Sequence, residues 1–318
     1  MEKTMYDIIV VGAGPAGLTA AIYARRAEKS VLIIEKDTFG GQITHSPRVE
    51  NYPGFVAISG NEFADKLIEQ AMEQGAEIEL DTVTGLVGEP GKYKVVCGTH
   101  EYEARSVIIA TGSRHRTLGI ANEERYTGEG ISYCAVCDGA FYRGKRVAVI
   151  GGGNSALQDA VMLSESCESV TVVQNLDYLT GETRLQKALS ERENVEFIYS
   201  SIVKRVLADG TAFAGLVIEN TLTGEESELR VDGAFVAIGQ IPENEPFESL
   251  VKLNDYGYVV ADEECVPECA EGKEGEPSGI FVAGDCRTKR VRQITTATAD
   301  GATAALAASR FLDSLSES

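Results

Sequence analysis

One pattern of residues occurs twice in this 318-residue chain and limits the folds open to it. A short apolar run, Tyr6–Val11, leads into a glycine-rich turn at 12–17, and an alanine-rich stretch follows. The same order returns 139 residues later, where Arg146–Ile150 leads into a second glycine-rich turn at 151–156. A buried strand, a glycine turn, a helix and another apolar strand make a β-α-β unit. The repeat therefore predicts two such units in one α/β chain.

The first of these turns, which we call the first glycine turn, has the glycine spacing typical of pyrophosphate binding. Gly12 makes the tight turn, Gly14 lets the backbone approach a phosphate, and Gly17 lets the helix pack on the strand. The helix start then presents partial positive charge. Glu35 ends the next strand, where a carboxylate can accept hydrogen bonds from ribose hydroxyls. The alternative is a glycine turn without a ligand, but the full context favours a dinucleotide site.

The order of the elements predicts that the second β-α-β unit is inserted into the first domain. Apolar strands that run into a glycine recur at 107–112, 235–239 and 279–285, and an alanine-rich helix is expected from 295 to 312. We expect an outer dinucleotide-binding domain and an inserted domain, with these limits: residues 1–114 together with 245–318, and residues 115–244.

Composition narrows the possible partners and the location. The chain has 49 acidic and 29 basic residues, a net charge of −20, which argues against binding nucleic acid or an anionic membrane. No apolar run approaches the ~18 residues of a membrane helix. The polar N-terminal residues lack the apolar core of a signal peptide, so a cytoplasmic location is expected.

Two of the seven cysteines have the spacing of a redox pair. Cys134 and Cys137 are separated by two residues, and Asp138 follows directly, where a carboxyl group can transfer the proton that thiol chemistry requires. Half of a zinc site and inert buried thiols are the alternatives. Cys265 and Cys269 lie in a predicted acidic loop at 261–277, and we assign them no role and predict no metal site.

Two further polar stretches suit a flat ring system with a polar tail. Gly40–Thr44 and Glu50–Gly54 are rich in glycine and amide side chains. Asp285 is a candidate for ribityl hydroxyls, and backbone amides at a helix start near Arg292 can stabilise charge on a reduced flavin.

With these motifs in view, the chain resembles the low-molecular-weight thioredoxin reductases over nearly its whole length. Eight motifs carry the resemblance: residues 12–17, 40–42, 50–54, 110–112, 134–139, 151–156, 284–286 and 292–293. The resemblance implies two Rossmann-like domains of β/β/α layers, the second inserted in the first. It also implies a homodimer, a thioredoxin-like partner, and non-covalent FAD in the outer domain.

The resemblance further implies roles for individual residues. Cys134 and Cys137 are expected to be the redox pair, with Asp138 as the acid. The expected FAD-binding residues are Gly12, Gly14, Pro15, Ala16, Gly17, Glu35, Lys36, Gly41, Gln42, Asn51, Ala110, Thr111, Gly112, Gly284, Asp285, Arg292 and Gln293.

The second nucleotide site departs from the family pattern. Gln174 lies 23 residues after Gly151, as Glu35 does after Gly12, so it occupies the position that contacts the ribose. NADPH-dependent members carry a His-Arg-Arg-x-x-x-Arg motif here, and its four positions are Gln174, Asn175, Leu176 and Thr180. The altered nucleotide site comprises Gly151, Gly153, Asn154, Ser155, Ala156 and Gln174.

The electron donor and the exact partner therefore stay open. Loss of two charge-assisted bonds at ~1.5–3 kcal/mol each would weaken NADPH binding several hundred-fold or more. We favour reduced ferredoxin, the donor of some family members that lack these arginines, over NADPH or NADH bound through different residues. The expected docking patch comprises Arg287, Lys289, Arg290 and Arg292. Two rival interpretations are a reductase for a peroxiredoxin or glutaredoxin-like protein and a redox sensor.

Overall fold

The computed structural model describes residues 5–46, 48–270 and 279–316. Its strands, in chain order, are β1 (Met5–Val11), β2 (Val31–Glu35), β3 (Glu77–Leu80), β4 (Val83–Glu89), β5 (Lys92–Cys97), β6 (Glu101–Ile109), β7 (Ser113–His115), β8 (Ile131–Ser132), β9 (Arg146–Ile150), β10 (Ser169–Val173), β11 (Val195–Ile198), β12 (Ser201–Asp209), β13 (Ala212–Asn220), β14 (Glu226–Leu229), β15 (Gly233–Val236), β16 (Gln240–Pro242) and β17 (Ile280–Val282). Its helices are α1 (Pro15–Arg26), α2 (Gly60–Glu73), α3 (Glu123–Tyr126), α4 (Ala135–Asp138), α5 (Asn154–Ser164), α6 (Thr183–Ser190) and α7 (Ile294–Ser316). Short 3-10 turns lie at Gly41–His45, Gly139–Tyr142, Glu245–Phe247 and Gly284–Cys286.

The chain divides into two compact units. Unit 1 contains residues 1–114 and 241–318, and unit 2 contains His115–Gln240. The C-terminal boundary of unit 2 thus lies after residue 240, whereas the sequence analysis placed the end of the inserted domain after residue 244. Pro242 ends the short strand β16, and Asn244 lies within unit 1.

Unit 1 is built on a mainly parallel sheet. The order is β3-β2-β1-β6, and β17 also pairs with β6 in parallel. The first half of β6 pairs instead with β5, which continues to β4 in an antiparallel meander. Alternate residues of the parallel strands therefore face two different cores.

The two faces of this sheet are covered by different layers. Ile8 and Val10 pack with α1 and α7, while Ile9 and Val11 pack with the apolar residues of β4 and β5. Ser59 begins α2 as its N-cap, because its hydroxyl accepts the backbone N–H of Glu62. This arrangement is the expected β/β/α layering.

Unit 2 repeats the same plan. Its parallel sheet has the order β11-β10-β9-β15-β8, and β12, β13 and β14 form a separate antiparallel sheet. Val147 and Val149 pack with α5, whereas Ala148 and Ile150 pack with the antiparallel strands. The predicted α/β fold with two Rossmann-like β-α-β domains is confirmed.

Two sequence expectations concern less regular parts of the chain. Residues 261–270 of the predicted acidic loop form only isolated bridges, and the rest of that loop lies outside the described residues. Within the described ranges, no helix is long and apolar enough to cross a membrane.

Candidate functional site

The first glycine turn lies at the carboxyl end of β1, and its geometry depends on two glycines. Gly12 has φ +108°, and a Cβ there would lie 2.3 Å from the carbonyl oxygen of Ala110. A Cβ at Gly17 would lie 1.9 Å from the carbonyl oxygen of Gly12, so only glycine lets α1 approach the turn this closely. Gly14 differs, because a Cβ there meets nothing within 4 Å. The open space at Gly14 is what a ligand would use.

Glu35 supports this turn from the end of β2. Its side chain is buried, and one carboxylate oxygen accepts the N–H of Ala13 at 2.7 Å. The other oxygen accepts the N–H groups of Lys36 and Asp37, each at 3.0 Å. A carboxylate has lone pairs beyond these three bonds, so Glu35 can both hold the loop and accept from a ribose hydroxyl.

The expected ring-binding stretch at residues 40–42 lies against the first glycine turn. The N–H of Gly40 donates to the carbonyl of Ala13 at 2.8 Å, and a Cβ at Gly41 would lie 3.2 Å from the Cα of Gly14. Gly41 has φ +61°, in the left-handed region that favours glycine. The structure therefore joins two motifs that are separated in the sequence.

Several other predicted residues come together at the same edge of the sheet. Ala110 follows β6, and Gly284 follows β17, so four parallel strands end beside one another. A Cβ at Gly284 would lie 2.8 Å from the Cβ of Ala16. The exposed side chain of Asn51 donates to the amide oxygen of Gln293 at 3.1 Å. Ligand sites of open α/β sheets lie at this edge.

Three of the predicted FAD-binding side chains are exposed or already bonded to other residues of the protein. Lys36 is exposed and forms an ion pair with Glu243, and Gln42 is exposed. Thr111 donates its hydroxyl to Asn244 at 2.8 Å. Asn244 is 1% exposed and also donates to the carbonyls of Gly257 and Cys286, each at 2.8 Å. The sequence reasoning missed Asn244, which lacks a motif of its own.

Asp285 supplies the test of whether this site fits a flavin dinucleotide. Its Oδ1 is buried and has no hydrogen-bond partner among the described residues. Burial raises the pKa of this carboxyl group, and the nearby cations Lys289 and Arg292 only partly oppose the shift. A buried acceptor without a donor is costly, and a ligand hydroxyl would satisfy it. Together with the open space at Gly14, Asp285 fits a cofactor that carries phosphates and a polyol.

The predicted basic docking patch is wrong for two of its four residues, Arg287 and Lys289, whose side chains are buried. Arg287 is 7% exposed and Lys289 is nearly as buried, and both contact the carboxylate of Asp300, at 3.4 and 2.8 Å. Arg292 donates to the backbone carbonyls at 285, 287 and 289, and its guanidinium lies 4.3 Å from the ring centre of Tyr258. Of the predicted patch, Arg290 alone is exposed. Arg287, Lys289 and the partly exposed Arg292 thus hold the loop after β17 through these contacts.

The cysteine turn, residues 134–138, lies in unit 2 and begins two residues after the end of β8. Cys134 is the N-cap of α4, and its sulfur accepts the N–H of Cys137 at 3.2 Å. Cys134 and Cys137 are disulfide-bonded, and both are half-buried. Cys265 and Cys269 are not bonded to each other, and Cys265 is fully buried. The predicted pairing at the cysteine turn is present in the structure.

Asp138 is held beside this disulfide by a residue that the sequence reasoning missed. The hydroxyl of Ser132 donates to Oδ2 of Asp138 at 2.6 Å. Burial raises the pKa of Asp138, and the bond from Ser132 opposes part of that rise. A raised pKa favours the protonated form of a carboxyl group, which is the form that a general acid needs.

The second glycine turn, residues 151–156, has the same backbone geometry but different surroundings. Gly151 has φ +129°, and a Cβ there would lie 2.5 Å from the carbonyl oxygen of Ala237. Gln174 is 4% exposed, and its amide group is bonded within its own loop. It donates to the carbonyl of Tyr178 at 3.1 Å and accepts from the N–H of Asn175 at 3.2 Å. The residue at the ribose position is therefore already hydrogen-bonded within the protein.

The loop that contains the four replaced positions folds onto the second glycine turn. The N–H groups of Thr180 and Gly181 both donate to the carbonyl of Gly152 at 2.9 Å, and the Thr180 hydroxyl donates to it at 3.2 Å. The side chain of Asn154 accepts the N–H of Glu182 at 2.7 Å. Ser155 is exposed. The loop is thus held by neutral hydrogen bonds.

The fold and the cysteine turn together define a class, that of disulfide oxidoreductases built on two dinucleotide-type domains. A model of the pyridine nucleotide-disulphide oxidoreductase family matches residues 6–301, and the chain belongs to this family. It is 41% identical over 317 residues to a thioredoxin reductase of Bacillus subtilis, covering 99% of this chain and 98% of the relative.

Two further comparisons agree. A thioredoxin reductase of Listeria monocytogenes is also 41% identical, over 100% of this chain and 97% of the relative. The crystal structure of a thioredoxin reductase from Streptococcus pyogenes superposes with a TM-score of 0.91 at 38% identity, covering 98% of this chain and all of that one. The resemblance to thioredoxin reductases is confirmed, and the family implies FAD as the cofactor.

Proposed function

We propose that this protein is a flavin-dependent thioredoxin reductase, which reduces the disulfide of a thioredoxin through the Cys134–Cys137 pair. The observation that carries the proposal is the disulfide beside the half-buried acid Asp138, in a chain whose full-length relatives include thioredoxin reductases. FAD, when bound, supplies two-electron transfer between an electron donor and this disulfide.

Unit 1 is proposed to hold the FAD. The first glycine turn and Gly41 would face the pyrophosphate, and Glu35 would accept from the adenosine ribose. Asp285 would accept from the ribityl hydroxyls, because its Oδ1 is buried without a donor among the described residues. The amide side chains of Asn51 and Gln293, already bonded to each other, would face the ring.

The exchange chemistry is proposed to occur at the cysteine turn. In the reduced turn, the thiolate of one cysteine attacks a sulfur of the thioredoxin disulfide, and a mixed disulfide forms as the thioredoxin thiolate leaves. The second cysteine then attacks this mixed disulfide, so that Cys134–Cys137 re-forms and thioredoxin departs as a dithiol. Asp138 supplies the proton that a leaving thiolate takes up, and it recovers the proton from an attacking thiol.

We further propose that reduced ferredoxin is the electron donor. The supporting observation is the loop at residues 174–180, which contains no lysine or arginine and is held by neutral hydrogen bonds. A 2′-phosphate placed there finds no cation within this loop to neutralise it. Arg184, the next basic residue, pairs with Glu182 and is exposed. Because the side chains of Arg287 and Lys289 are buried, the docking surface for such a donor must include residues outside the predicted patch.

One experiment separates the possible donors. The flavin absorbance near 450 nm is followed without oxygen after NADPH, NADH or reduced ferredoxin is added separately. Rapid bleaching by ferredoxin alone supports the proposal. Rapid bleaching by either nucleotide contradicts it and returns unit 2 to the role of a nucleotide-binding domain.

A second experiment tests the reductase function itself. Cys134→Ser is expected to abolish thioredoxin reduction while FAD stays bound, because the disulfide lies in unit 2 and the proposed FAD site in unit 1. Cys167→Ser is the matched control, since Cys167 is a free, buried cysteine of the same unit. Turnover that persists in Cys134→Ser would exclude this mechanism. Reduction of a peroxiredoxin or glutaredoxin-like protein in place of thioredoxin would change the partner and leave the site unchanged.

The homodimer and the cytoplasmic location stay predictions. Mass determination in solution with FAD bound tests the first, and fractionation of cells tests the second.

A further inference from the structure

The hydroxyl group of Ser132 lies between the acid and the backbone of the cysteine turn. Ser132 ends β8 and is 4% exposed. It donates to Oδ2 of Asp138 at 2.6 Å and accepts the N–H of Cys134 at 3.1 Å. The carbonyl oxygen of Cys134 lies 3.4 Å from the same hydroxyl oxygen. One hydroxyl proton therefore has two acceptors within reach.

This arrangement suits both protonation states of Asp138. When Asp138 is ionised, the Ser132 hydroxyl donates to its carboxylate. When Asp138 is protonated, the carboxylic acid can donate to the Ser132 oxygen, and the hydroxyl proton can turn to the Cys134 carbonyl. A hydroxyl group has one donor and two acceptor positions, which is sufficient for every bond in both states.

We propose that Ser132 is the positioning residue of the exchange reaction: it keeps Asp138 hydrogen-bonded and aimed at the cysteine turn before and after each proton transfer. The inference rests on the proposed role of Asp138 as the acid. An apolar residue at this place would leave the half-buried carboxylate of Asp138 without that donor, and removing a carboxylate from water without a partner is costly. Removal of the hydroxyl would then favour the protonated form of Asp138.

Other titratable groups lie on the elements that pack against Asp138. Tyr142 is on the 3-10 turn Gly139–Tyr142, and the charge of Asp138 adds to the rise that burial causes in the pKa of Tyr142. Asp159 is on α5, which packs on α4, and burial raises its pKa to about 6. Because burial raises the pKa of both aspartates, the experiment includes Asp159→Asn as a background.

The test uses a small dithiol, so that it depends neither on thioredoxin nor on the natural donor. Dithiothreitol thiolate attacks one sulfur of Cys134–Cys137, the S–S bond breaks, and the leaving cysteine thiolate takes a proton from Asp138. The second dithiothreitol sulfur then closes its ring and releases the other cysteine as a thiol. The flavoprotein is reduced at a series of pH values, and the cysteine thiols are counted by quenched alkylation.

The expected result is a shift in the pH profile. After correction for the thiolate fraction of dithiothreitol, the rate falls as the pH rises through the pKa of Asp138, because the acid form disappears. Ser132→Ala should move this fall to higher pH by about one to two units, the size expected for loss of a hydrogen bond to a charged group. Ser132→Thr, which keeps the hydroxyl, should bring the fall back toward the wild-type position.

Two comparisons separate positioning from a general effect on structure. Asp138→Asn should remove the fall, and adding Ser132→Ala to Asp138→Asn should then change the pH profile no further. Ser201→Ala is the matched control, because Ser201 is in the same unit, is also 4% exposed, and donates its hydroxyl to the backbone carbonyl of Tyr199 at 2.9 Å. Ser201→Ala should not change the pH at which the rate of disulfide reduction falls.

The outcomes also separate this inference from the proposed function. An unchanged fall in Ser132→Ala, an equal shift in Ser201→Ala, or a further shift in the double variant would overturn the role of Ser132. If Ser132→Ala does not fold, Ser132→Thr alone tests the inference. A fall in rate at a much higher pH in Ser132→Thr than in the wild type would then overturn the role of Ser132. Absence of thioredoxin turnover in the unmodified protein would contradict the proposed function and leave the dithiothreitol profiles interpretable.

Discussion

The two glycine turns have nearly the same backbone and different chemistry around it. In the first, the N–H of Gly12 donates to the carbonyl of Ile34 at 2.8 Å, and in the second the N–H of Gly151 donates to Val173 at the same distance. The residues at the ribose positions differ, because Glu35 is an acceptor for three backbone N–H groups, whereas Gln174 both donates and accepts within its loop.

This difference shows that the shape of a dinucleotide turn and its ligand chemistry have separate causes. The shape follows from close backbone packing, since a Cβ at Gly12 or Gly151 would collide with a carbonyl oxygen of a neighbouring chain segment. The ligand chemistry depends on one residue at the next strand end and on the loop after it. The second turn can therefore keep its shape while the residues that would read a nucleotide change.

The largest expected difference between the two turns follows from adding one methyl group to each of them. Gly14→Ala should weaken FAD binding by at least about 100-fold, because the open space there is where a phosphate would approach the backbone N–H groups. Gly153→Ala should leave ferredoxin-driven turnover unchanged if no nucleotide binds to the second turn. Titration of the apoprotein with FAD and steady-state assays measure the two effects.

Both glycines tolerate a Cβ within the protein, so neither change should unfold its unit. Gly14 meets nothing within 4 Å, and Gly153 meets only the hydroxyl of Thr180 at 3.8 Å. A Gly153→Ala variant that loses turnover would show that the two turns are functionally alike.

An intermediate effect is expected from exchanging the two ribose-position residues. Glu35→Gln places an amide N–H where the carboxylate accepts from the backbone, and Gln174→Glu places a carboxylate oxygen against the carbonyl of Tyr178. Each change should lower the free energy of unfolding by ~1–3 kcal/mol, because a buried bond is replaced by a repulsive contact. Urea denaturation followed by circular dichroism measures this loss.

The same pair has a contrasting functional readout. Glu35→Gln should also weaken FAD binding, whereas Gln174→Glu should not create NADH-driven flavin bleaching while the loop at 174–181 stays bonded to Gly152. Strong bleaching by NADH in Gln174→Glu would mean that one carboxylate is sufficient to restore the second site.

The smallest effect concerns two aspartates that each connect neighbouring strands. Asp7 accepts the N–H and hydroxyl of Ser30, each at 2.9 Å, and Asp232 accepts the N–H of Arg146 at 2.9 Å. Burial raises the pKa of Asp7, but the bonds from Ser30 and Arg105 outweigh it, so the pKa is lowered overall. Burial also raises the pKa of Asp232, but the hydrogen bonds and the charge of Arg146 outweigh it, so this pKa is lowered overall as well.

A lowered pKa in the folded state fixes the sign of the pH dependence. The stability that these aspartates contribute is present above the pKa of the unfolded chain, and it is lost as the pH falls through the lower folded pKa. Asp7→Asn should lower the free energy of unfolding by on the order of 1 kcal/mol at neutral pH. Below the folded pKa of Asp7, the substitution should have no such effect. Asp232→Asn should cost less, since its side chain is 41% exposed against 26% for Asp7. The urea midpoints of both variants are measured at neutral and at acid pH. An equal loss of stability at the two pH values would contradict this account.

Local patterns in the sequence predicted most elements within a few residues. The helix expected to about Arg26 ends there, and the helix expected from 295 to 312 spans Ile294–Ser316. These predictions depend on apolar periodicity and glycine turns, which act over a few residues along the chain. The prediction of the docking patch was wrong for Arg287 and Lys289 because their direction depends on a contact between elements. Both side chains turn toward Asp300, which lies on α7.

The amino-acid sequence by itself determined the two glycine turns, the identity of Glu35 and Gln174 at the strand ends, and the cysteine pair with its following aspartate. Only the tertiary structure decided that Ser132 bonds to Asp138, that Asn244 connects Thr111 to the loop after β17, and that Asp285 keeps a buried oxygen free of partners among the described residues. Spacing specifies backbone turns, because those are formed by neighbours in the chain. Hydrogen-bond partners and burial depend on which distant segments meet, and folding alone brings those segments together.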